Sequence, residues 1–377
     1  MARVTALRNL NESHRRIATL VRRYQPVTRV TLGRLTGLGS GPITQITREL
    51  LLSGLIREGE RLRGGGRGQP AVPLMLEPLG AISFGVGMSP GQLRVVAIDF
   101  AGEVLAEAEV AQAGDAPMTT AVIIRDTIET LCRRLSLGRQ DRERILGVGF
   151  ALPGYFQADK ARVRLVDEHS DWRNRPLSEM FESIIELPCC VENDATAAAI
   201  GEYYGQRALP KSLITLLINY GIGAGMMLDG KPFRGRNGNA GEVGAFFPLG
   251  RPRPSGSYLI QTLRSQGLGV ETLDAIDLDN PVHAAACEPW VVQSAGQLRE
   301  LVSSAWSWFD PELIILAGGV PKPLLDRLAE AISADRLFAS DGDRPAPLLK
   351  CSQNGPGGAA IGAAHIPLHR FTGARTE

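Results

Sequence analysis

The sequence ISFGVG, residues 82–87, is the first of three apolar stretches from which the fold of the larger part of the chain can be predicted. The second and third stretches are residues 93–100 and 104–110, and only a few turn residues separate each from the next. This spacing predicts three strands in an antiparallel meander. A helix over 117–136 and a buried strand over 145–150 are predicted next, and helices, strands and glycine turns then alternate to the end. The pattern predicts an α/β fold.

The composition is typical of a globular protein. Of the 377 residues, 44% are hydrophobic and 21% are charged, and the length predicts two or three domains. No apolar run approaches the roughly 20 residues of a membrane helix, and the first residues lack the apolar core of a secretory signal. The five cysteines are odd in number and show no C-x-x-C spacing. We therefore expect a cytoplasmic protein without a disulfide framework and without membrane association.

The charge is divided unevenly along the chain. Residues 1–70 contain 13 Arg, no Lys and 4 Glu, a net charge of +9, whereas the whole chain has a net charge of only +1. The remaining residues therefore carry a net charge of −8. A basic head on an acidic body predicts that the head binds a polyanion such as double-stranded DNA. The alternative is a basic, solvated face that has no partner.

The first 76 residues predict three helices. The first follows the cap residue Asn11, stops at Pro26 and has an apolar face with these members: Ile17, Leu20, Val21 and Tyr24. A short second helix over 31–36 buries Leu32 and Leu35, and a glycine turn leads to a third helix that starts at Ser40. The inward side of that third helix is predicted to be Ile43, Ile46 and Leu50. Two helices joined by a short glycine turn are typical of a helix-turn-helix.

The outer side of the third helix and the segment after it predict contacts with DNA. The outer side is polar and includes Thr47, and the strands predicted over 55–57 and 72–76 enclose an arginine- and glycine-rich tip that is typical of a wing. The predicted DNA-binding residues are Ser40, Thr44, Gln45, Arg48, Arg61, Arg63 and Arg67. Glutamine can pair with adenine through two hydrogen bonds, and arginine suits phosphates and the minor groove. Each element also has a simpler interpretation: a small packing domain, ordinary surface residues, or a linker.

Several segments of the body, taken together in their order, resemble the ROK family, named for repressors, open reading frames and kinases. The segments are residues 151–154, 191–199, 220–230, 234–244, 310–319 and 358–364. The head also resembles the winged helix-turn-helix that precedes this body in regulators of the family. The three antiparallel strands followed by β/α alternation suit a two-lobed body of the ribonuclease H, hexokinase and actin type.

The resemblance implies a division of the chain and a ligand cleft. Residues 1–76 would form the DNA-binding domain, residues 77–190 the first lobe with a C-terminal helix at about 356–373 returning to it, and residues 191–355 the second lobe. Asp194 matches the general base of ROK sugar kinases, and Glu242 matches a glutamate that contacts sugar hydroxyls. The implied effector-binding residues are Gly154, Asn193, Asp194, Asn237 and Glu242. Asp194 also has a second interpretation as a helix cap, and Asn237 as a loop residue that bonds its own backbone.

Two departures from the ROK kinases predict that this chain is not an enzyme. Kinases of the family begin with an Asp-x-Gly-Gly-Thr-Lys turn that handles phosphate, whereas Gly87 stands here at the Asp position and no Thr-Lys follows. A small hydroxyl residue precedes the second phosphate turn in kinases, whereas Tyr220 stands there in this chain. Phosphoryl transfer depends on positioning and charge neutralisation. We therefore interpret Asp194 as a ligand contact and predict no catalytic residue.

The family's zinc site is also missing from the sequence. Ala245 stands where the family has a His, and residues 246–260 contain no Cys or His that could ligate a metal. We therefore predict no metal and no cofactor. The sugar-contacting Glu that follows the Cys run in relatives falls near Leu259. Arg251 and Arg253 are candidates for a positive replacement near the cleft, although two solvated loop arginines are the simpler interpretation.

These observations predict a homodimeric or tetrameric transcriptional regulator, a repressor of carbohydrate genes that a sugar-like effector controls. Two alternatives stay open. The first is an active sugar kinase with a DNA-binding head, which Asp194 and Glu242 favour. The second is a regulator whose body binds no ligand and serves only to dimerise, which Ala245 and Leu259 favour.

Overall fold

The structure is a computed structural model of the chain. It describes residues 10–61, 71–111, 116–157, 163–165, 172, 175–248, 250–334 and 345–372.

The N-terminal unit consists of three helices followed by two antiparallel strands. Its elements are α1 (Glu12–Tyr24), α2 (Arg29–Thr36), α3 (Ser40–Ser53), β1 (Ile56–Glu58) and β2 (Leu74–Leu76). The Asn11 side chain accepts a hydrogen bond from the backbone N–H of His14 and caps α1. Gly37 ends α2 with a φ of 76°, a conformation that glycine adopts without strain. This is the element order of a winged helix-turn-helix.

The interior of this unit matches the predicted apolar faces only in part. Ile17, Leu32, Ile43 and Leu50 are among its buried residues, as predicted. Three predictions were wrong: Tyr24 is 43% exposed, Leu35 is 40% exposed, and Thr47 is fully buried instead of lying on the outer side.

Thr47 is buried because it is part of the joint between helices. Its hydroxyl donates to the carbonyl of Ile43 and accepts a hydrogen bond from Nε of Arg29, at 2.8 and 3.1 Å. The same guanidinium pairs with Glu58 at 2.9 Å, so Arg29 links α2, α3 and β1. Tyr24, in the last turn of α1, lies instead under the guanidinium of Arg23.

The first sheet of the body contains the predicted meander. Its strands are β3 (Ile82–Ser89), β4 (Gln92–Asp99), β5 (Val104–Ala111), β6 (Ile145–Leu152) and β9 (Cys189–Asn193), in the order β5-β4-β3-β6-β9. β3 to β5 pair antiparallel, as predicted, and β6 and β9 continue the sheet in parallel. Residues 191–193, which the sequence analysis assigned to the second lobe, therefore pair with β6 in the first sheet.

Helices and a small strand pair accompany the first sheet. They are α4 (Pro117–Arg134), α5 (Arg139–Arg142), β7 (Gly154–Phe156), β8 (Val163–Leu165) and α6 (Leu177–Ile185). The core between the sheet, α4 and α6 is aromatic: the rings of Phe150 and Phe181 stack at 4.4 Å, and Trp172 meets Phe181 edge to face. Burial of such rings is a large apolar contribution to stability.

The second sheet has the strand order β12-β11-β10-β13-β14. Its strands are β10 (Ser212–Ile218), β11 (Ile222–Leu228), β12 (Lys231–Pro232), β13 (Leu313–Ala317) and β14 (Leu348–Cys351). An apolar core joins this sheet to α8 (Gly256–Ser265), α9 (Pro281–Phe309) and α10 (Lys322–Ala334). Of the helices described, none is both long and apolar enough to cross a membrane. All five cysteines are free thiols.

Two helices rich in small residues pack between the sheets and the head. They are α7 (Asp194–Tyr204) and α11 (Gly358–Thr372). The two backbones approach so closely that a Cβ added at Gly201 would lie 2.8 Å from the Cα of Gly362. On its other side, α11 shares an apolar cluster with α1, in which Ala364 and Leu368 are buried with Ile17. The C-terminal helix therefore contacts both the body and the head.

Candidate functional site

The outer face of α3 carries the predicted DNA-binding residues of the head. Ser40, Thr44, Gln45 and Arg48 are all exposed. The Thr44 hydroxyl donates to the carbonyl of Ser40 at 2.8 Å. Arg48 makes no ion pair within the described residues, so its guanidinium is free to reach a phosphate. The face thus combines amide, methyl and cationic groups, the chemistry that reads base edges and phosphates.

The predicted wing is described only at its base. β1 and β2 pair over three residues, from Ile56 opposite Leu76 to Glu58 opposite Leu74. Arg61 is exposed just beyond β1. Arg63 and Arg67 lie outside the described residues, so their contacts with DNA stay predictions.

The residues predicted to bind an effector lie on β7, at the end of β9, at the start of α7 and in the loop after β12, and Asn193 ends β9. Its Oδ1 accepts from the backbone N–H groups of Ala195 and Thr196, so Asn193, and not Asp194, caps α7. Its Nδ2 donates to the carbonyl of Gly154 at 2.8 Å. Asn193 therefore fixes the end of β9 against β7, and most of its hydrogen-bonding capacity is used within the protein.

Asp194 is the first residue of α7 and has an unusual protonation equilibrium. Burial raises its pKa to about 7, hydrogen bonds from its own and the Ala195 backbone N–H oppose the shift, and the negative charge of Glu242 adds to it. Glu242 itself is exposed, and partial desolvation raises its pKa as well. The structure thus brings two carboxyl groups close enough to repel each other. Such a pair can accept hydrogen bonds from hydroxyls, and its protonated member can also donate one.

The loop between β12 and Glu242 crosses to the first lobe, and the residue that links it was missed by the sequence analysis. Asn239 donates to the carbonyl of Phe156 and accepts from its backbone N–H, at 2.8 and 2.7 Å. Asn237, which was predicted to line the cleft, is exposed and makes no side-chain contact within the described residues. The sequence carried little signal for this difference because Asn237 and Asn239 stand two residues apart in the same polar loop.

A buried ion pair forms a second link that the sequence analysis missed. Glu192, at the end of β9, is 2% exposed and pairs with Arg234 at 2.6 Å. Nε of Arg234 donates to the same carboxylate oxygen at 2.7 Å. A charge as buried as that of Glu192 requires such a partner. Glu192 directly follows three apolar residues of β9, and this local sequence does not indicate that its side chain pairs with a cation 42 positions later.

The positions that handle phosphate in ROK kinases have a different environment here. Gly87 is buried on β3 against α11, and a Cβ added there would lie 3.1 Å from the backbone nitrogen and Cβ of Ala360. Tyr220 is half-buried and packs against the apolar core of the second lobe. Leu259, at the predicted place of a sugar-contacting Glu, is fully buried in that core. Within the described ranges there is no cluster of three or more His, Cys, Asp or Glu that could hold a metal ion.

The opposite end of α7 lies against the head. The ring of Tyr204 lies 4.1 Å below the guanidinium of Arg22 from α1, and it stacks on His365 of α11. Its hydroxyl bonds Nδ1 of His369 at 2.7 Å. Burial lowers the pKa of His365 to about 3 and that of His369 to about 4, so both imidazoles are neutral near pH 7. α7 therefore connects the site of Asp194 with the guanidinium of Arg22 in the head.

Comparison with known proteins relates these features to a family. The model of the ROK family matches residues 83–249. The uncharacterized protein y4fQ of Sinorhizobium fredii is 31% identical over 98% of this chain and 94% of its own length. The DNA-binding transcriptional dual regulator NagC of Escherichia coli (strain K12) is 25% identical over 85% of this chain and 84% of its own length.

Solved structures share the fold. The crystal structure of a ROK family transcriptional regulator, a homolog of the E. coli MLC protein, superposes with a TM-score of 0.68 and 21% identity over 96% of both chains. A ROK family glucokinase from Streptomyces griseus, in complex with glucose and AMPPNP, has a TM-score of 0.58 and 24% identity over 76% of this chain and 99% of its own. At these identities the similarity shows the fold alone.

Proposed function

Because this chain belongs to the ROK family, we propose that it is a sequence-specific DNA-binding transcriptional regulator, a repressor of carbohydrate genes. The observation that carries the proposal is the exposed polar face of α3, in a head with a net charge of +9 over residues 1–70. A relative that spans most of the chain and is a DNA-binding regulator by name supports the same interpretation.

The cleft is proposed to bind a small polyhydroxyl effector. Asp194 and Glu242 supply the acceptors, and Asn237 is an exposed amide in the loop that leads to Glu242. The hydrogen bond from the Asn193 amide to the Gly154 carbonyl positions these two residues, which stay predicted contacts of the effector. Effector binding changes the position of the lobes and hence the placement of two heads in a homodimer. Linkage then requires DNA and effector to change each other's affinity by the same factor.

The regulator is proposed to lack kinase activity. An aspartate at position 87 would have to fit against Ala360 of α11, and the phenol of Tyr220 occupies the second phosphate turn. The kinase alternative has one observation in its favour, since a carboxyl group with a pKa of about 7 suits a general base. A coupled ATPase assay with a panel of sugars separates the two. If the wild-type protein hydrolyses ATP in the presence of a sugar and Asp194→Asn abolishes this activity, the proposal that the regulator lacks kinase activity is refuted.

Selection of genomic fragments with the purified protein at about 0.15 M salt, followed by footprinting, tests the main proposal. We expect a discrete footprint with two symmetric half-sites, as a homodimer requires. Gln45→Ala should relax the base preference at one position, whereas Arg48→Ala should weaken binding to all sequences. Binding that is only salt-sensitive and shows no enriched sequence would contradict the proposal. If DNA binds and no sugar or sugar phosphate shifts the melting temperature, the body serves only to dimerise.

A further inference from the structure

Four polar side chains in the head form a continuous hydrogen-bonded chain that ends on the DNA-facing surface. The Nδ1 atom of His14 lies 2.7 Å from Oδ1 of Asn11, and Nε2 lies 2.6 Å from a carboxylate oxygen of Glu49. The other oxygen of Glu49 accepts from Nε2 of Gln45 at 3.1 Å. The chain thus connects the cap of α1 to the residue of α3 that is predicted to read a base.

The direction of each hydrogen bond is fixed by groups that can act in one way only. The Oδ1 atom of Asn11 accepts from the backbone N–H of His14 at 3.1 Å, so it is an oxygen that faces the ring. A carboxylate only accepts, so Nε2 of His14 donates to Glu49. In the hydrogen bond between His14, which is 7% exposed, and Glu49, the carboxylate is thus the acceptor. The hydrogen bond from His14 is the main cause that lowers the pKa of Glu49, and that from Gln45 is the second.

The same rule fixes the amide of Gln45. Because Glu49 only accepts, the nitrogen of the Gln45 amide must face it, and the amide oxygen must face away. One N–H is used by Glu49, which leaves one acceptor and one N–H at the exposed end. This is the pair of groups that recognises adenine, whose N6 amino group donates and whose N7 atom accepts. A flipped amide would present the two groups in the reverse order.

We propose that His14 and Glu49 are positioning residues that hold the Gln45 amide in the orientation that recognises adenine. This inference rests on the proposed DNA-binding function. His14, in the interior of the head, fixes the orientation of the Glu49 carboxylate. That carboxylate in turn fixes the orientation of the Gln45 amide at the surface. Glu49 is partly exposed, with 45% of its side chain accessible, but both of its oxygens are occupied by protein donors. Glu49 therefore orients Gln45, which contacts the base, and does not contact a base itself.

The test compares the base preferences of the full-length protein and its variants, selected from a random DNA library at one salt concentration. Gln45→Ala marks the position that Gln45 reads and should lower the preference there by about 5- to 150-fold. Glu49→Gln replaces a group that only accepts by an amide that can turn either its oxygen or its nitrogen towards Gln45, so the orientation of the Gln45 amide is no longer fixed. The adenine preference should fall by about 2- to 10-fold at the same position. Arg48→Ala is the matched control and should weaken all sequences equally.

Substitution of His14 supplies the second arm. His14→Met removes the donor and keeps an apolar side chain of similar length, and His14→Gln keeps a donor near the place of Nε2. We expect His14→Met to lower the preference at the Gln45 position and His14→Gln to retain it. The melting temperature of each variant shows whether the head has stayed folded. If His14→Met unfolds the head, the result with the exposed Glu49→Gln variant still decides.

Two results overturn the inference within an intact DNA-binding function. In the first, Gln45→Ala loses the adenine preference while Glu49→Gln and His14→Met keep it. In the second, Glu49→Gln changes the preference at a different base pair, which would make Glu49 a reader itself. A wild-type protein that enriches no sequence would instead refute the proposed DNA-binding function, and with it this role of His14.

Discussion

Asp194→Asn should stabilise the ligand-free protein at high pH and have less effect at low pH. In the folded chain burial raises the pKa of Asp194 from the ordinary 3.8 to about 7. Between these values the folded protein binds a proton that the unfolded chain has lost, so stability decreases as pH rises towards 7 and the whole penalty remains above it. Asparagine keeps an oxygen for the backbone N–H of Ala195 and carries no charge.

The size of the effect follows from the interval of pH. At 1.36 kcal/mol per pH unit, the free energy of unfolding of Asp194→Asn relative to wild type can rise by at most about 3 kcal/mol between pH 5 and pH 8. Screening by solvent at the half-buried carboxyl group reduces this rise to about 1–2 kcal/mol. The melting temperature of Asp194→Asn relative to wild type should therefore rise by about 2–5 °C between pH 5 and pH 8.

Thermal unfolding of both proteins in matched buffers at pH 5, 6, 7 and 8 measures this difference. Asp279→Asn, which removes an exposed carboxyl group in the loop before α9, is the control for the loss of one negative charge at the surface. A difference for Asp194→Asn that stays constant, or that shrinks as pH rises, would show that Asp194 is not desolvated in the free protein. Its proposed role as a proton-sharing contact for an effector would then lose its physical basis.

Substitutions of Asn239 and Tyr204 test the contact between the two lobes and the contact between the head and the body. Asn239→Ala removes both hydrogen bonds to the Phe156 backbone and should lower the free energy of unfolding by about 2 kcal/mol. The control, Asn237→Ala, should change it by less than about 0.5 kcal/mol. Equal effects of the two substitutions in urea unfolding would contradict the conclusion that Asn239 links the loop to the first lobe. Tyr204→Leu removes the ring below Arg22 and should cost about 2 kcal/mol at this desolvated site. Faster hydrogen exchange in α1 is the expected readout, and unchanged exchange there would argue against the contact.

The sequence was sufficient for the parts of the fold that local patterns determine. The meander of β3 to β5 was predicted because apolar stretches of six to eight residues are separated by short turns, and α3 was predicted because its apolar residues recur at helical spacing. Asp194 was singled out because its local motif resembles that of the ROK kinases, and its contact with an effector stays a prediction. In each case residues near one another in the sequence carry the signal.

Contacts between distant segments account for what was missed. Thr47 is a polar residue of the kind expected at the surface, yet it is buried between two helices, where its hydroxyl accepts a hydrogen bond from Arg29. Asn193 and Asp194 are both good caps, and only the geometry at the end of β9 selects the first. The partner of Glu192 is 42 residues away, and no periodicity within β9 encodes that distance.

The stack of Arg22 on Tyr204 has a consequence for exchanging parts between relatives. A head that is joined to its body by a linker can be replaced at the linker, but here an arginine of the head is buried in the body beside two neutral histidines of the C-terminal helix. A chimera that takes a foreign head up to residue 76 would leave Tyr204 and both histidines facing a new surface. A workable graft must therefore carry α11 with the head, or supply an arginine at the place of Arg22.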